Sequence, residues 1–549
     1  MSALDPAQLA APGQLALRPA NLLLVGFSGA GKSSVGRAVA RELGLPFVDL
    51  DEAIVQRSGR SIPELFRQEG EAAFRRWEME TLAEVLARGG QVIALGGGAW
   101  TQPQARQLLG PADVAVWLDL PFGQAWQRIA GHPGRPLVEG LGEAGLARLY
   151  EERRPAYALA DHRIAVDQRS VEAIARELAA WWSRRPQAVV RPDPHGPGYG
   201  VHLRPTLLDE AGECLVEAGL EGPALVVSQA PLRAYQSRLD QALAATGWTI
   251  RWHWMGDGEA AKEPAAVAAI WEAALEAGLD RRGTVIAFGG GVVGDTAGFG
   301  AATFLRGVRW VAMPTTLLAQ VDAAVGGKVG VNLPQGKNLV GAFHHPSLVL
   351  ADPALLPTLP RRELAAGMAE VVKTLLLAGP EPVGELEEQV EGGLSAWEPF
   401  IATAIRLKAA TVSRDPREAG LRAILNLGHT VGHALEQVTG YGRYLHGEAV
   451  AIGLVTALLL SERVMGLDPQ WTRRVVRLLR RLDLPVDAPE LHDLSLRPAL
   501  LQALGRDKKA RRGQARFVLL EAPGAPRVGV EVAPPLLAEA LDRQAQLGA

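Results

Sequence analysis

The segment GFSGAGKS, residues 26–33, has the glycine, lysine and hydroxyl spacing of a phosphate-binding loop. An apolar run at Leu22–Val25 precedes it and predicts a β-strand, and the pattern of residues 34–43 predicts a helix. In such a loop, backbone N–H groups face the phosphates, a lysine neutralises charge on the transferred group and a hydroxyl can bind Mg²⁺. The segment therefore predicts a nucleotide phosphate site in which Lys32 and Ser33 have these two roles.

A second set of side chains could bind a metal ion. The sequence NLGHTVGHALE places His429 and His433 four residues apart, on one face of a predicted helix. His446 follows in HGEAV, and Glu370 lies upstream in GMAEVVK. Catalytic Zn²⁺ takes three N or O ligands and keeps an open position. Spacing alone favours His429 with His433, and these ligand types leave Zn²⁺, Co²⁺ and other divalent ions open.

A third candidate is the glycine-rich segment FGGGVVGDTAGFGA, residues 288–301. It follows a predicted strand and opens a predicted helix, which is a moderate signal for the pyrophosphate site of a dinucleotide.

The elements that position these groups fall into three series. Strand-like and helical runs alternate over residues 21–183, which predicts a parallel α/β domain behind a flexible arm at 1–20. A Pro-, Arg- and Gly-rich stretch at 184–198 predicts a linker. A second α/β series occupies 199–360, and helical patterns dominate 361–549. The expected fold class is thus multidomain α/β: a parallel α/β domain, a Rossmann-like domain and an all-α metal-binding domain.

Composition narrows the class of protein. The chain has 549 residues, a net charge of −3 and no basic run, which does not favour nucleic acid or an anionic membrane as partner. The single cysteine, Cys214, excludes an internal disulfide and fits the cytoplasm. The first 20 residues lack the pattern of a signal peptide. The apolar run at 449–460 is too short to span a bilayer and predicts a buried helix.

Residues 20–175 resemble the shikimate kinase family through the motifs FVDLD, GEAAFRRWE, GGG, GRPL and RRPAY, in that order after the phosphate loop. The resemblance implies a P-loop fold like that of nucleoside monophosphate kinases, and phosphorylation of shikimate by ATP with Mg²⁺. It places Asp49 near the water shell of Mg²⁺, Asp51 as the carboxylate beside the attacking hydroxyl, and Arg135 as a lid arginine. With Lys32, the last two are the expected catalytic residues.

The same resemblance assigns the remaining contacts. Guanidinium groups suit the carboxylate of shikimate because they bind it in a two-pronged manner. The expected shikimate-binding residues are Asp51, Arg75, Gly97 and Arg153. The expected ATP-binding residues are Gly29, Ala30, Gly31, Lys32, Ser33, Ser34, Arg128 and Arg135.

Residues 200–530 resemble the 3-dehydroquinate synthase family, through DGEAAK at 257–262, PTTLLAQVDAAVGGKVGVN at 314–332, GKN at 336–338 and LPTLP at 356–360. The resemblance implies conversion of the keto-sugar acid phosphate DAHP to 3-dehydroquinate and phosphate. NAD⁺ would oxidise a substrate alcohol transiently, and a metal ion would polarise the resulting carbonyl. The implied NAD-binding residues are Asp257, Gly258, Glu259, Lys262, Gly291, Val292, Val293, Gly294, Asp295, Thr315, Thr316, Lys328, Lys337, Asn338, Leu355 and Thr358.

This second resemblance selects Glu370, His429 and His446 as ligands of Zn²⁺ or Co²⁺, with His433 binding substrate. The implied DAHP-binding residues are Arg306, Asp322, Lys373, Lys408, Arg422, Asn426, His433 and one of Lys508 or Lys509. Among them Asp322, Lys373, Lys408 and His433 are the expected catalytic residues. Arg306 matches a residue that family members lend to the partner subunit, so the resemblance implies a homodimer formed by the second half.

Three alternatives remain open at this stage. The second half could be another sugar-phosphate cyclase or a metal-dependent alcohol dehydrogenase, although simple alcohols have no use for the lysines at 328, 337, 373 and 408. The first domain could be a non-catalytic nucleotide sensor, although the set Asp51, Arg75 and Arg153 argues against that.

Overall fold

The computed structural model describes residues 19–110, 112–130, 136–193, 198–392, 396–493, 495–506 and 516–548. Three residues with a predicted role, Arg135, Lys508 and Lys509, lie outside these ranges. The chain divides into two compact units, and the boundary between them lies between Arg185 and Pro186.

In the described part of the first unit, a parallel sheet has the strand order β2-β3-β1-β4-β5. The strands are β1 (Leu22–Val25), β2 (Phe47–Asp49), β3 (Val92–Ala94), β4 (Val114–Asp119) and β5 (His162–Ala165). The helices are α1 (Lys32–Leu43), α2 (Leu50–Ser58), α3 (Ile62–Arg88), α4 (Pro103–Gln107), α5 (Phe122–Ile129), α6 (Pro136–Tyr157) and α7 (Val171–Arg184).

The central strands of this sheet are continuous apolar runs because helices cover both faces of a parallel sheet. Every residue of β1 and β3 is buried. Asp49 and Asp51, both with a predicted role, lie where β2 passes into α2. Asp49 ends β2 and caps α2 by accepting hydrogen bonds from the backbone of that helix, whereas Asp51 lies in the first turn of α2.

The second unit contains a larger sheet, with the order β6-β7-β14-β11-β10-β8-β9 among its described strands. All neighbouring pairs are parallel except β6 with β7. The strands are β6 (Ala188–Val190), β7 (Tyr199–Leu203), β8 (Ala224–Gln229), β9 (Ile250–Met255), β10 (Thr284–Gly289), β11 (Arg309–Pro314), β12 (Lys328–Leu333), β13 (Gly336–Phe343) and β14 (Leu348–Ala351). Helices α8 (Ala211–Glu217), α9 (Gln236–Ala244), α10 (Pro264–Glu276) and α11 (Gly291–Thr303) accompany them.

Three strands of this unit depart from the parallel pattern. Strand β6 lies inside the stretch predicted as a linker and pairs with β7, from Ala188 opposite Val201 to Val190 opposite Tyr199. Strands β12 and β13 form an antiparallel hairpin outside the large sheet. We refer to β12–β13 as the nucleotide hairpin because it carries three of the predicted NAD-binding residues, Lys328, Lys337 and Asn338.

The remainder of the second unit is mainly helical. Its helices are α12 (Arg361–Ala378), α13 (Pro380–Glu391), α14 (Glu398–Arg414), α15 (His429–Val438), α16 (His446–Met465), α17 (Pro469–Arg481), α18 (Arg497–Arg506) and α19 (Pro534–Gly548). An antiparallel hairpin, β15 (Arg516–Ala522) with β16 (Ala525–Glu531), interrupts the expected all-α pattern. The apolar run at 449–460 lies in α16 and is buried, as predicted. Among the described residues, no helix is long and apolar enough to cross a membrane.

Candidate active sites

The phosphate loop joins β1 to α1, as its sequence context predicted. Gly31 stands before the first turn of α1 with a φ of 87°. Lys32 Nζ donates to the carbonyl oxygens of Gly26 and Phe27 at 2.9 and 3.1 Å, so its side chain runs along the loop. Ser33 Oγ donates to Asp49 Oδ2 at 2.5 Å, which brings the two predicted magnesium-site residues together. Ala30 and Ser34 lie in the same loop-to-helix turn.

A cavity of about 420 Å³ lies beside this loop. The predicted shikimate-binding residues line it together with Lys32 and Ser33. Arg153 NH1 donates to the carbonyl oxygen of Gly97 at 3.1 Å. Arg128, predicted at the adenine, donates from NH1 to the carbonyl oxygen of Gly29 at 3.2 Å. One cavity therefore joins the predicted phosphate site to the predicted acceptor site.

Arg75 reaches this cavity because the turn after β3 lacks side chains. A Cβ atom on Gly98 would lie 2.7 Å from both terminal nitrogens of Arg75. A Cβ on Gly96 would lie 2.8 Å from Asp51 Oδ1 and 3.0 Å from Glu78 Oε1. The GGG motif thus makes room for one guanidinium group and two carboxylates.

The sequence analysis assigned no role to Glu78, which is 1% exposed and accepts a hydrogen bond of 2.7 Å from Arg75 NH1. Burial raises the pKa of Glu78, although the nearby Arg75 opposes that effect. Its position three residues after Arg75, on the same face of α3, is the signal that could have identified it. Glu78 binds NH1 of the guanidinium group, while NH2 donates to Glu71 Oε1 at 3.2 Å.

In the second unit, hydrogen bonds join three of the predicted NAD-binding residues, which come from different parts of the chain. Lys262 Nζ donates to Asp295 Oδ2 at 2.5 Å and also to Asn338 Oδ1. Asp295 lies in α11, which begins at Gly291 directly after β10, so the glycine-rich segment is a strand-to-helix turn. Asn332, which the sequence analysis did not single out, donates from Nδ2 to Glu259 Oε1 at 2.8 Å.

Other members of the predicted NAD set lie nearby in the fold or at the surface. Val292, Val293 and Gly294 belong to the first turn of α11, and Asp257 and Gly258 to the turn after β9. The backbone N–H of Thr315 donates to the carbonyl oxygen of Gly289, and Thr316 Oγ1 accepts from the N–H of Ala319. Thr358 donates to the carbonyl oxygen of Leu355 at 2.7 Å.

The candidate metal site gathers Glu370 of α12 with histidines of α15 and α16. Glu370 Oε1 lies 3.4 Å from His429 Nε2 and 3.7 Å from His446 Nε2. One ring nitrogen from each of His429, His433 and His446 lies within 4.8 Å of the others. Both carboxylate oxygens of Glu370 are buried and accept no hydrogen bond, although Lys373 forms an ion pair with Oε2. A buried carboxylate oxygen that accepts no hydrogen bond, Glu370 Oε1, beside two imidazole nitrogens fits a divalent cation.

Cationic side chains surround this site, as expected for an anionic substrate. Lys408 Nζ donates to both the carboxylate and the carbonyl oxygen of Asp322. Burial lowers the pKa of Lys408 to about 8, although Asp322 opposes that shift. Burial also acts to raise the pKa of Asp322, but Lys408 and Lys373 outweigh it and keep that pKa below its usual range.

The other predicted DAHP-binding residues lie in two places. Arg422 NH2 donates to the carbonyl oxygen of Gly326 at 3.1 Å, and Asn426 Nδ2 donates to Glu418 Oε1 at 3.2 Å. Lys373 donates to the carbonyl oxygen of Leu425 at 2.8 Å. Arg306 is exposed and has a φ of 67°, an uncommon conformation for a non-glycine residue.

Two carboxylates of this region were missed. Glu418 accepts a bond of 2.5 Å from Lys328 in addition to the one from Asn426. Glu436 accepts from Lys337 at 3.1 Å and lies 3.3 Å from His446 Nδ1. Glu436 follows His429 by seven residues, two helical turns, and that spacing could have placed it on the histidine face of α15.

Family models match both parts of the chain. The shikimate kinase model matches residues 28–182. The models of the N-terminal and C-terminal parts of 3-dehydroquinate synthase match residues 252–366 and 367–510.

Individual relatives agree with the family models. The 3-dehydroquinate synthase of Gloeobacter violaceus is 47% identical over 343 residues, which cover 61% of this chain and 93% of the relative. That of Symbiobacterium thermophilum is 48% identical over 319 residues, 57% of this chain and 87% of the relative. The solved structure of ValA, a 2-epi-5-epi-valiolone synthase from Streptomyces hygroscopicus subsp. jinggangensis 5008 with NAD⁺ and Zn²⁺ bound, has a TM-score of 0.57 and 28% identity, and covers 64% of this chain and 98% of its own.

These matches confirm the fold class and both family resemblances inferred from the sequence. The chain belongs to the 3-dehydroquinate synthase family and carries a shikimate kinase domain ahead of that part.

Proposed function

We propose that this protein catalyses two reactions of the shikimate pathway at separate sites. The first unit transfers a phosphoryl group from ATP to shikimate, and the second converts DAHP to 3-dehydroquinate and phosphate. For the first reaction, the strongest support is the single cavity shared by the phosphate loop and the set Asp51, Arg75 and Arg153. For the second, it is the buried carboxylate of Glu370, whose Oε1 accepts no hydrogen bond and lies 3.4 and 3.7 Å from nitrogens of His429 and His446.

In the kinase site, Lys32 leaves the carbonyl oxygens of its loop and neutralises charge on the transferred phosphoryl group. Ser33 binds Mg²⁺ directly, and Asp49 holds the Ser33 hydroxyl. Asp51 accepts the proton of the attacking hydroxyl, while Arg75 and Arg153 bind the carboxylate of shikimate. Arg128 lies beside the phosphate loop, where it contributes to ATP binding.

In the synthase site, Glu370, His429 and His446 would hold Zn²⁺ or Co²⁺, and α11, Lys262 and the nucleotide hairpin would hold NAD⁺. When bound, the nucleotide accepts and returns a hydride and the metal polarises the substrate oxygens. Lys373, Lys408, Arg422 and Asn426 bind the anionic and hydroxyl groups of DAHP. Asp322 and the exposed His433 are positioned to relay the alcohol proton.

We also propose that the protein is a cytoplasmic homodimer formed through the second unit. Leu305, Leu339, Val340 and Phe343 are 38–49% exposed, although their side chains are apolar. Arg306 follows Leu305 directly, and both have positive φ angles of 67° and 49°. A partner subunit that covers these side chains would hold this strained turn in place. Arg306 would then reach the substrate site of that partner subunit.

A paired assay on the full chain tests the two activities. We expect shikimate-dependent release of ADP that requires Mg²⁺, and release of phosphate from DAHP that a tight transition-metal chelator abolishes and Co²⁺ or Zn²⁺ restores. Chelator-treated protein that releases phosphate from DAHP at the full rate would contradict the assignment of the metal site.

Sedimentation of the chain and of a Phe343→Asp variant tests the dimer, since the variant should sediment as a monomer.

A further inference from the structure

Glu436 is a buried side chain that the proposed reaction does not use directly. Its side chain is 4% exposed and lies between His446 and Lys337. Oε2 lies 3.3 Å from His446 Nδ1, while the other ring nitrogen, Nε2, faces Glu370. A histidine that binds a metal through one nitrogen commonly donates its other N–H to a carboxylate, which fixes the tautomer and the ring orientation. Glu436 is therefore placed to orient His446.

Lys337 reaches Glu436 from a different part of the fold. It lies at the start of β13 in the nucleotide hairpin and donates to Glu436 Oε1 at 3.1 Å. Its neighbour Asn338 accepts a hydrogen bond from Lys262, which also bonds Asp295 of α11. Polar contacts, together with the peptide bond between Lys337 and Asn338, thus connect the proposed nucleotide site to the proposed metal ligand.

Tyr441 is a second partner of Lys337. Lys337 Nζ lies 4.7 Å from the centre of the Tyr441 ring, in cation–π contact. The backbone N–H of Tyr441 donates to the carbonyl oxygen of Glu436 at 2.8 Å. Tyr441 has a φ of 62°, a backbone conformation that is energetically unfavourable for a bulky residue. In this conformation its ring lies against Lys337 of the nucleotide hairpin. The ring is 39% exposed, so a packing role in the core does not account for it.

We propose that Tyr441, Lys337 and Glu436 form a bridge that couples nucleotide binding to metal binding, with Glu436 as the positioning residue for His446. An ammonium group has three donors, so Lys337 can bond Glu436 and a nucleotide phosphate oxygen together. Nucleotide binding orders the exposed nucleotide hairpin and holds Lys337 in contact with Glu436. Glu436 then holds the His446 ring in its ligand orientation before the metal ion binds. The coupling is reciprocal, so metal binding tightens nucleotide binding by the same factor. The inference rests on the proposed NAD and metal sites.

Titration of the metal-free full chain with Co²⁺, followed by its visible absorption, tests the bridge without turnover. In the wild type, we expect Co²⁺ to bind at least about fivefold more tightly with saturating NAD⁺ than without it. Glu436→Gln should weaken Co²⁺ binding about 10–100-fold in both conditions. Tyr441→Leu should bring the ratio of the two affinities close to one, whereas the matched control Tyr441→Phe, which keeps the ring, should keep the wild-type ratio.

The bridge is overturned if Glu436→Gln binds Co²⁺ like the wild type, if the wild-type ratio is one, or if Tyr441→Leu keeps the wild-type ratio. Tyr441 is exposed, so its variants remain informative even where Glu436→Gln impairs folding. Failure of the proposed function gives a different result. Wild-type protein would then bind neither Co²⁺ nor NAD⁺, or it would bind both and release no phosphate from DAHP.

Discussion

Asp51 gives the sharpest test of the kinase site at the scale of one residue. Its carboxylate lies beside Gly96 in the cavity, and a positioned general base contributes about 10²–10⁴-fold to rate. We expect Asp51→Asn to lower kcat for shikimate phosphorylation by a factor in that range, measured as ADP release. Equilibrium binding of ATP should be unchanged, because the phosphate loop is intact. A variant with a tenth or more of wild-type turnover would remove Asp51 from this role.

Gly98 allows a test of Arg75 that leaves the arginine in place. The Cβ atom of Gly98→Ala would lie 2.7 Å from both terminal nitrogens of Arg75, so the guanidinium group must move. We expect the KM for shikimate to rise at least about tenfold, since a displaced bidentate contact costs over 1.4 kcal/mol, while the KM for ATP stays near its wild-type value. Gly123→Ala in α5 is the matched control, because its Cβ meets no atom within 4 Å and both constants should stay unchanged.

Lys408 predicts a pH dependence of the synthase activity. Burial lowers its pKa to about 8, so the ammonium group loses its charge as the pH rises through that value. The KM for the anionic substrate DAHP should therefore increase above about pH 8. Lys408 itself does not destabilise the fold over this range: the unfolded lysine, with a pKa of about 10.4, binds more protons than the folded one between these values, so this group makes the fold more stable as pH rises. A KM that stays constant from pH 7 to 9.5 would contradict the assignment.

At the scale of elements, the metal site depends on how closely three helices approach. A Cβ atom on Gly447, in the first turn of α16, would lie 1.8 Å from the carbonyl oxygen of Ala366 in α12. Gly447→Ala must push α16, with His446, away from α12, with Glu370. Overpacking of this kind costs about 1–3 kcal/mol.

We therefore expect Gly447→Ala to lower the melting temperature of the second unit and to weaken Co²⁺ binding, while shikimate phosphorylation continues. The control is Gly384→Ala in α13, where the nearest atom would be 3.8 Å away. That variant should bind Co²⁺ like the wild type. Wild-type Co²⁺ affinity in Gly447→Ala would show that the helices have more freedom than this contact indicates.

The sequence predicts some elements well because their signal is local. Apolar runs identify β1, β4, β10 and α16, since buried central elements must be apolar along their whole length. Strand β6 was missed because its three residues stand among prolines and arginines, and only pairing with β7 makes them a strand. The β15–β16 hairpin was missed because helical patterns dominate the residues around it, although its two strands pair with each other across a short turn.

The site residues show the same division. Motif residues such as Lys32, Asp51 and Arg75 could be proposed from the sequence, and the structure brings them into one cavity. Glu78 and Glu436 belong to no such motif, and although their spacing places them on the faces of Arg75 and His429, a glutamate on a helix is usually solvated. Their importance comes from burial against a charged partner, which depends on the tertiary fold.

At the scale of the whole molecule, the two units should be separable by a single substitution. Lys32→Ala removes the ammonium group that neutralises the transferred phosphoryl group, so shikimate phosphorylation should fall at least about 10³-fold. Phosphate release from DAHP should be unchanged, because the proposed metal-binding and NAD-binding residues all belong to the second unit. The two rates are measured on the same preparation, and a parallel loss of both would contradict independent sites.

The position of β6 decides where this polypeptide can be cut. Its pairing with β7 closes the outer edge of the large sheet, and Val190 is fully buried there. A shortened chain that starts at residue 198, where the proline-rich stretch ends, would expose the backbone N–H and C=O groups of β7 and favour edge-to-edge aggregation. A division of the chain between Arg185 and Pro186 separates the two units and leaves β6 paired with β7.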